Sequence, residues 1–269
     1  MDQHLIASLL TALIGGIVDL DSTSAVQIMV SQPIVASPLT GLCLGLLYGN
    51  PLNGILLGLA IGSILQLVWI EKLPLGMNVP PDAALASVLS VAVGFIAGSN
   101  YTVLSDREAC YTLALMFSVA LGLLGRSLDM FVRRINTSID SWVNNEIEDN
   151  NFGSIWLGHS LGFLVTFTKA FIFCFLITWF GVEPLKYFIK SLNPIQIKGF
   201  IVVKGVLPIV GYAVLANMCL KEQKEIKLFI GAALLFAVLP QSIGIAIATC
   251  VALFFVFNTD DGKKKKKKK

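Results

Sequence analysis

The sequence of this 269-residue chain is poor in charged side chains. Only 14% of its residues are Asp, Glu, Lys or Arg, whereas 55% are hydrophobic, and the mean hydropathy is +0.78. Soluble domains carry roughly 25% charged residues. The composition therefore excludes a water-soluble enzyme and is typical of a chain whose segments pack through a lipid bilayer.

Residues that bind metals or carry out catalysis are also scarce. The sequence has two histidines, His4 and His159, and five scattered cysteines without a CxxC pair. A zinc or haem site needs several such ligands at defined spacing. The GxxxxGK[ST] and HExxH motifs are absent as well. We therefore predict no metal, no cofactor and no catalytic residue, and interpret the cysteines as small apolar side chains.

The densest run of positive charge lies at the end of the chain. Seven of the twenty basic residues form the run at 263–269, which leaves thirteen basic against seventeen acidic residues elsewhere. Nucleic-acid binding has no support outside this run. Residues 258–269 are predicted to form a disordered, Lys-rich cytoplasmic tail beside the anionic leaflet. The N-terminus lacks the basic region of a signal peptide, so its apolar start is expected to stay as a membrane segment.

Eight apolar stretches cover most of the chain and predict an all-α integral membrane protein. About 20 residues are needed to cross the hydrocarbon core, and several of these stretches are shorter. Prolines and glycines interrupt them at membrane depth, as in transporters of small solutes, although such breakers also mark ordinary loop ends. We predict a polytopic helical bundle with broken or re-entrant helices over residues 1–257. The stretches are residues 5–18, 34–48, 52–70, 83–97, 111–124, 155–180, 200–220 and 228–257.

One long hydrophilic stretch interrupts this pattern at residues 126–154. Its arginines, Arg126, Arg133 and Arg134, predict a cytoplasmic loop by the positive-inside tendency. Three apolar stretches separate this loop from the Lys-rich tail. If each crossed the membrane once, the loop and the tail would lie on opposite sides, so one of the three must return to the side on which it entered. Residues 228–257 are the natural candidate, because Pro240 divides them into two half-helices. The segment between residues 186 and 204 also carries lysines. Whichever side of the membrane it occupies, the positive charges cannot all be placed consistently, and the topology stays open.

Polar side chains in apolar segments indicate where the chemistry lies, because a central charge costs on the order of 3 kcal/mol there. Asp19, Asp21, Gln27, Gln32 and an isolated Lys169 are such residues.

The densest group of polar residues falls in one seventeen-residue window that contains Gln66, Trp69, Asn78 and Asp82. Amides and a carboxylate bind hydroxyl groups, and an indole packs on a sugar's C–H face, so the window predicts a polyol site. Equally, Trp69 is interpretable as an interfacial residue and Asp82 as the N-cap of a helix that starts at Ala83.

The same window carries a family resemblance. Residues 81–87 read PDAALAS, which resembles the signature of the IIC subunit in the mannose/fructose/sorbose family of the sugar phosphotransferase system. Further matches follow in order: Pro33 with LTG at 39–41 and LG at 44–45, NGILLG at 53–58, residues 151–159, and VGYA at 210–213 followed by Asn217 and Met218. The similarity extends over essentially residues 1–257.

This resemblance implies a transport subunit rather than an enzyme. The chain would bind a hexose-type sugar in the bacterial cytoplasmic (inner) membrane and pass it inward for phosphorylation. The phosphoryl-carrying histidine would belong to a IIB partner. The implied partners are a IID membrane subunit, IIA and IIB phosphocarriers, the bilayer and further copies in a homo-oligomer. The predicted substrate-binding residues are Gln66, Asp82, Asn78, Trp69, Gln27 and Asn217.

Two positions depart from the family pattern. Mannose-type members carry Glu where this chain has Gln66, and a basic residue where it has Gln32. An amide keeps hydrogen bonding but removes the charge, so mannose specificity is not carried over. The change also favours an alternative, a non-transporting, degenerate IIC homologue that acts as a membrane sensor or scaffold. Composition alone would also fit a self-contained ion or solute transporter.

Overall fold

In the computed structural model, the described residues are 2–24, 27–70, 79–220, 226 and 229–231, and the regular elements in them are all helices. The all-α prediction is confirmed. The helices are α1 (Gln3–Thr23), α2 (Pro33–Leu47), α3 (Pro51–Val68), α4 (Ala83–Gly98), α5 (Leu104–Glu148), α6 (Gly153–Ser191) and α7 (Pro194–Cys219).

The chain divides into two units, Met1–Leu215 and Ala216–Lys269. In the second unit the structure describes the last residues of α7 and a few positions after them. The predicted half-helices at 228–257 lie almost entirely outside the described residues, and the predicted tail at 258–269 lies wholly outside them.

Among the described residues, five helices are long and apolar enough to cross a membrane, namely α1, α3, α5, α6 and α7. The apolar helices α2 and α4 have 15 and 16 residues. At 1.5 Å per residue they reach about 24 Å at most, short of a hydrocarbon core near 30 Å. The chain is therefore a multi-pass membrane protein in which two helices, α2 and α4, are too short to cross alone.

Helix α4 forms the centre of the first unit. Every residue after Ala83 in this helix is buried, and it packs against α1, α2, α3, α5 and α6. Its sequence, AALASVLSVAVGFIAG, is apolar or small on all sides, which suits a helix surrounded by other helices. Helix α4 is therefore held on all sides by neighbouring helices.

Helices α2 and α3 form a hairpin in which the two backbones touch. A Cβ on Gly41 would clash with the carbonyl oxygen of Gly54, and a Cβ on Gly54 would clash with that of Gly41. The connecting turn uses Gly49 at a φ of 75°, a conformation that side chains disfavour. The hairpin brings the start of α2 beside the end of α3.

We expect Gly54→Ala to destabilise the protein, because the added methyl group meets backbone that cannot rotate away. Overpacking costs about 1–3 kcal/mol, and the apparent melting temperature in detergent should fall by several degrees. Gly205→Ala is the matched control, since Gly205 in α7 has open space around its Cα. Equal melting temperatures for the two variants would contradict this account of the hairpin.

Residues 126–154, which were predicted as a cytoplasmic loop, are mostly helical, and their cytoplasmic placement stays a prediction. Helix α5 runs for 45 residues, about 68 Å, and ends at Glu148, and α6 begins at Gly153. The stretch is hydrophilic because this part of α5 extends beyond the apolar length of a crossing. A four-residue turn then returns the chain as α6 beside α5.

Candidate functional site

A cavity of about 960 Å³ opens among the helices of the first unit. Its wall is formed by the end of α1, the start of α2, the end of α3, the segment before α4, and α5, with one residue from α6. The side chains that line it include Gln32, Gln66, Trp69, Asp82, Asp129, Arg133, Asn136 and Asp140. The volume suits a small organic molecule.

The structure brings three of the six predicted site residues to this cavity: Gln66, Trp69 and Asp82. Asn78 lies outside the described residues. Gln27 is exposed in the loop before α2 at a φ of 56° and is not one of the described residues that line the cavity. Asn217 is exposed near the end of α7, in the second unit, and its part in the site stays a prediction.

Asp82 uses its two carboxylate oxygens differently. Oδ1 accepts a hydrogen bond of 2.9 Å from the backbone N–H of Leu85, which makes Asp82 the N-cap of α4. The backbone N–H of Asp82 donates to the carbonyl oxygen of Gly122 at 2.9 Å and fixes the residue against α5. Oδ2 is buried and has no hydrogen-bond partner among the described residues. The capping interpretation is confirmed, and it leaves one oxygen for a ligand.

Gln66 and Gln32, the two departures from the family pattern, are in contact. Nε2 of Gln66 donates to Oε1 of Gln32 at 2.9 Å, and Oε1 of Gln66 accepts a longer bond, 3.4 Å, from the backbone N–H of Ile34. Sequence reasoning found both positions but did not connect them. The contact leaves the amide N–H groups of Gln32 as donors for a ligand.

Trp69 directly follows α3 as its C-cap residue and is 8% exposed. It lines the cavity, so its side chain lies inside the bundle rather than on its outer surface. An indole in this position offers an apolar face beside the amides of Gln32 and Gln66, which is the combination that a neutral polyol needs.

A charged cluster lies behind Asp82. The ammonium of Lys169 on α6 is 2.8 Å from Asp19 Oδ2 on α1, 2.6 Å from Asp129 Oδ1 on α5, and 3.9 Å from Asp82 Oδ2. The sequence pointed to Asp19 and Lys169 only as isolated charges in apolar segments. The sequence did not indicate Asp129 as a site residue, because it lies in a hydrophilic stretch where a charged side chain is ordinary.

The three carboxylates present oxygens within 4.8 Å of one another, a spacing that suits a cation. The cation that the structure places there is the ammonium of Lys169. Like charges at this distance repel strongly at membrane depth. The ammonium therefore offsets part of the carboxylate charge and ties α1, α5 and α6 to the N-terminus of α4.

The long helix α5 supplies a polar wall to the cavity that sequence reasoning missed. Asp129, Arg133, Asn136 and Asp140 all line it. Their spacing of three and four residues places them on one face of a helix. Because residues 126–154 were predicted as a loop, this periodicity was not used.

Residues 158–162 read GHSLG, which has the GxSxG spacing of a nucleophilic serine motif but lacks the structural context of that motif. It lies inside α6 rather than at a strand-to-helix turn, and the ring of His159 packs edge-on against Phe163. Ser160 donates its hydroxyl to the carbonyl oxygen of Trp156, one helical turn earlier.

The fold and the site define a multi-pass helical membrane protein with a polar internal cavity beside the end of a short, buried helix. This arrangement is typical of transporters for small solutes. Residues 5–255 match the family model described as the sorbose-specific IIC component of the PTS system. The chain belongs to this family of phosphotransferase-system IIC components.

Individual relatives are distant. The chain is 24% identical over 187 residues to the fructose permease IIC component of Bacillus subtilis and 24% identical over 188 residues to the mannose-specific EIIC component of Escherichia coli. It is 25% identical over 189 residues to the sorbose-specific EIIC component of Lacticaseibacillus casei. Each match covers 70% of this chain, and the chain spans 61–64% of the length of these relatives.

Solved structures share the fold. A structure described as a membrane protein matches with a TM-score of 0.65 at 20% identity, and a cryo-EM structure of the mannose transporter ManYZ with the microcin MceA matches with a TM-score of 0.52 at 19% identity. Each match covers 94% of this chain and 94% of the other.

Proposed function

We propose that this chain is the sugar-translocating subunit of a mannose-family phosphotransferase system. The cavity beside Asp82 is the observation that carries the proposal. It combines the paired amides of Gln32 and Gln66, the indole of Trp69 and a free oxygen of Asp82. These groups offer donors, an acceptor and an apolar face to a hydroxylated, uncharged ligand.

A hexose-type sugar is the proposed substrate. The relatives named above are a fructose permease component and mannose- and sorbose-specific components, which all handle six-carbon sugars. The neutral Gln32–Gln66 pair distinguishes this site from the charged pattern of mannose-type members. We therefore do not assign mannose in particular.

Phosphorylation is assigned to a partner subunit. The proposed partners are a IID membrane subunit, which completes the permease, and IIA and IIB phosphocarriers, which supply the phosphoryl group. This chain holds the sugar and presents it on the cytoplasmic side of the bacterial inner membrane, in an assembly of several copies of this chain together with IID.

The test is uptake of labelled sugars by cells that express this chain with its IID, IIA and IIB candidates. Hexoses, ketoses and hexosamines are offered separately, and phosphorylated product is measured inside the cells. We expect one sugar phosphate to accumulate, and the signal to disappear when this chain is omitted. Absence of uptake of every sugar, with a stable membrane complex, would favour the sensor or scaffold alternative.

We expect Trp69→Ala to weaken sugar binding by about 1–3 kcal/mol, because the ring contributes apolar contact to the sugar face. The apparent Michaelis constant for uptake should rise about fivefold to more than a hundredfold. Trp156→Ala is the matched control, since Trp156 is 76% exposed on α6. A Michaelis constant that stays unchanged in the Trp69 variant would place the ring outside the sugar contact.

A further inference from the structure

We propose that Lys169 is a positioning residue of the sugar site, which sets the charge and the orientation of Asp82 without touching the sugar. The proposal rests on the proposed function, since it concerns the same cavity. Lys169 is not one of the described residues that line the cavity, whereas Asp82 and Asp129 are. The lysine therefore lies behind the wall that a ligand meets.

The geometry holds the ammonium in place from two sides. Asp19 and Asp129 lie at 2.8 and 2.6 Å from Nζ, and the Lys169 side chain is 7% exposed. The contact with Asp129 is a charged hydrogen bond, which is strong and directional, and the contact with Asp19 is a close ion pair. Because the partners come from α1 and α5, the ammonium is fixed relative to both helices.

The contact with Asp82 is longer and has a different effect. At 3.9 Å the ammonium attracts Oδ2 but is too far away for a hydrogen bond. Oδ1 is already used by the backbone N–H of Leu85. Oδ2 therefore feels the positive charge and keeps its hydrogen-bonding capacity for a sugar hydroxyl.

The hydrogen-bonding character of Asp82 depends on this cation. Asp82 shares its surroundings with two further carboxylates, and like charges at such distances favour a proton on one of them. The cation opposes this effect, so its removal makes a protonated Asp82 more favourable. A protonated carboxyl donates where an ionised one accepts. The titratable or charged groups that face the cluster are Asp19 from α1, Asp129 from α5, and Lys169 and Cys174 from α6.

The test compares Lys169→Gln, Lys169→Arg and the control Lys186→Gln in the reconstituted permease complex, with equilibrium sugar binding and uptake measured across pH. Lys186 lies on the same helix and pairs with Glu183, whose side chain is 60% exposed. Removing the cation disfavours ionised Asp82. The pH below which sugar binding is lost should therefore be higher in Lys169→Gln than in the unchanged protein. Apparent affinity at neutral pH should fall about tenfold or more, the equivalent of one pKa unit. We expect Lys169→Arg to retain most binding and the control to match the unchanged protein.

A second variant keeps the proposal testable if Lys169→Gln does not fold. Asp129→Asn removes a neighbouring negative charge, which favours ionised Asp82. The pH below which sugar binding is lost should therefore be lower in this variant. Loss of affinity in both variants with an unchanged pH profile would mean that the cluster is only structural and would overturn the proposal. Unchanged sugar binding in Lys169→Gln would overturn this proposal alone, whereas failure of the unsubstituted complex to bind any sugar would overturn the proposed function together with it.

Discussion

Replacement of Asp82 by asparagine is expected to reduce sugar uptake below detection while the protein still folds and inserts. Asparagine caps helices as well as aspartate does, so the bond to the backbone N–H of Leu85 is kept. The substitution removes the negative charge beside Lys169 from a residue that lines the cavity. A hydrogen bond to a charged group contributes about 1.5–3 kcal/mol, which corresponds to tenfold to more than a hundredfold in binding.

Asp82→Ser and Asp82→Ala complete this series. Serine also caps the helix, whereas alanine costs about 1 kcal/mol of capping free energy. Melting temperature should therefore follow capping ability, and uptake should be lost in all three variants. Asp106→Asn is the matched control, because Asp106 lies in the first turn of α5, near the opposite end of α4. Normal uptake by Asp82→Asn would remove Asp82 from the sugar site.

Gln66→Ala is expected to abolish uptake as well. The substitution removes the donor to Gln32 and the acceptor for the N–H of Ile34, so the start of α2 loses its tie to the end of α3. Gln32 would then lack the partner that orients its amide beside the cavity. Gln3→Ala is the control, since Gln3 donates to a backbone carbonyl, that of Leu47, in an exposed position.

A charge exchange at the same contact tests whether the two glutamines act as a pair. Gln66→Glu alone places an unpaired carboxylate in the cavity that contains Asp82, and we expect uptake to fall strongly. Adding Gln32→Arg provides an ion pair across the same contact and should recover part of the activity. Contacting residues couple by about 0.5–3 kcal/mol in such cycles. Strictly additive effects of the two substitutions would contradict a functional pair.

The window from Gln66 to Asp82 was predicted from the sequence because polar side chains at membrane depth stand out against apolar neighbours. Asp82 was also predicted as an N-cap, since capping depends on a carboxylate directly before a run such as AALA. The polar face of α5 escaped prediction. Arg133 and Asn136 stand among other hydrophilic residues, where nothing local separates a cavity wall from a solvated surface.

The sequence by itself determined the membrane setting, the helical class and most helix positions, because these depend on the apolar content of each segment and on prolines and glycines at its ends. Tertiary structure decided which polar groups meet. Gln32 contacts Gln66 from 34 residues away, and Lys169 joins Asp19 and Asp129 from other helices. Such contacts depend on how the helices pack around α4, and the low dielectric of that interior makes each of them strong enough to shape the site.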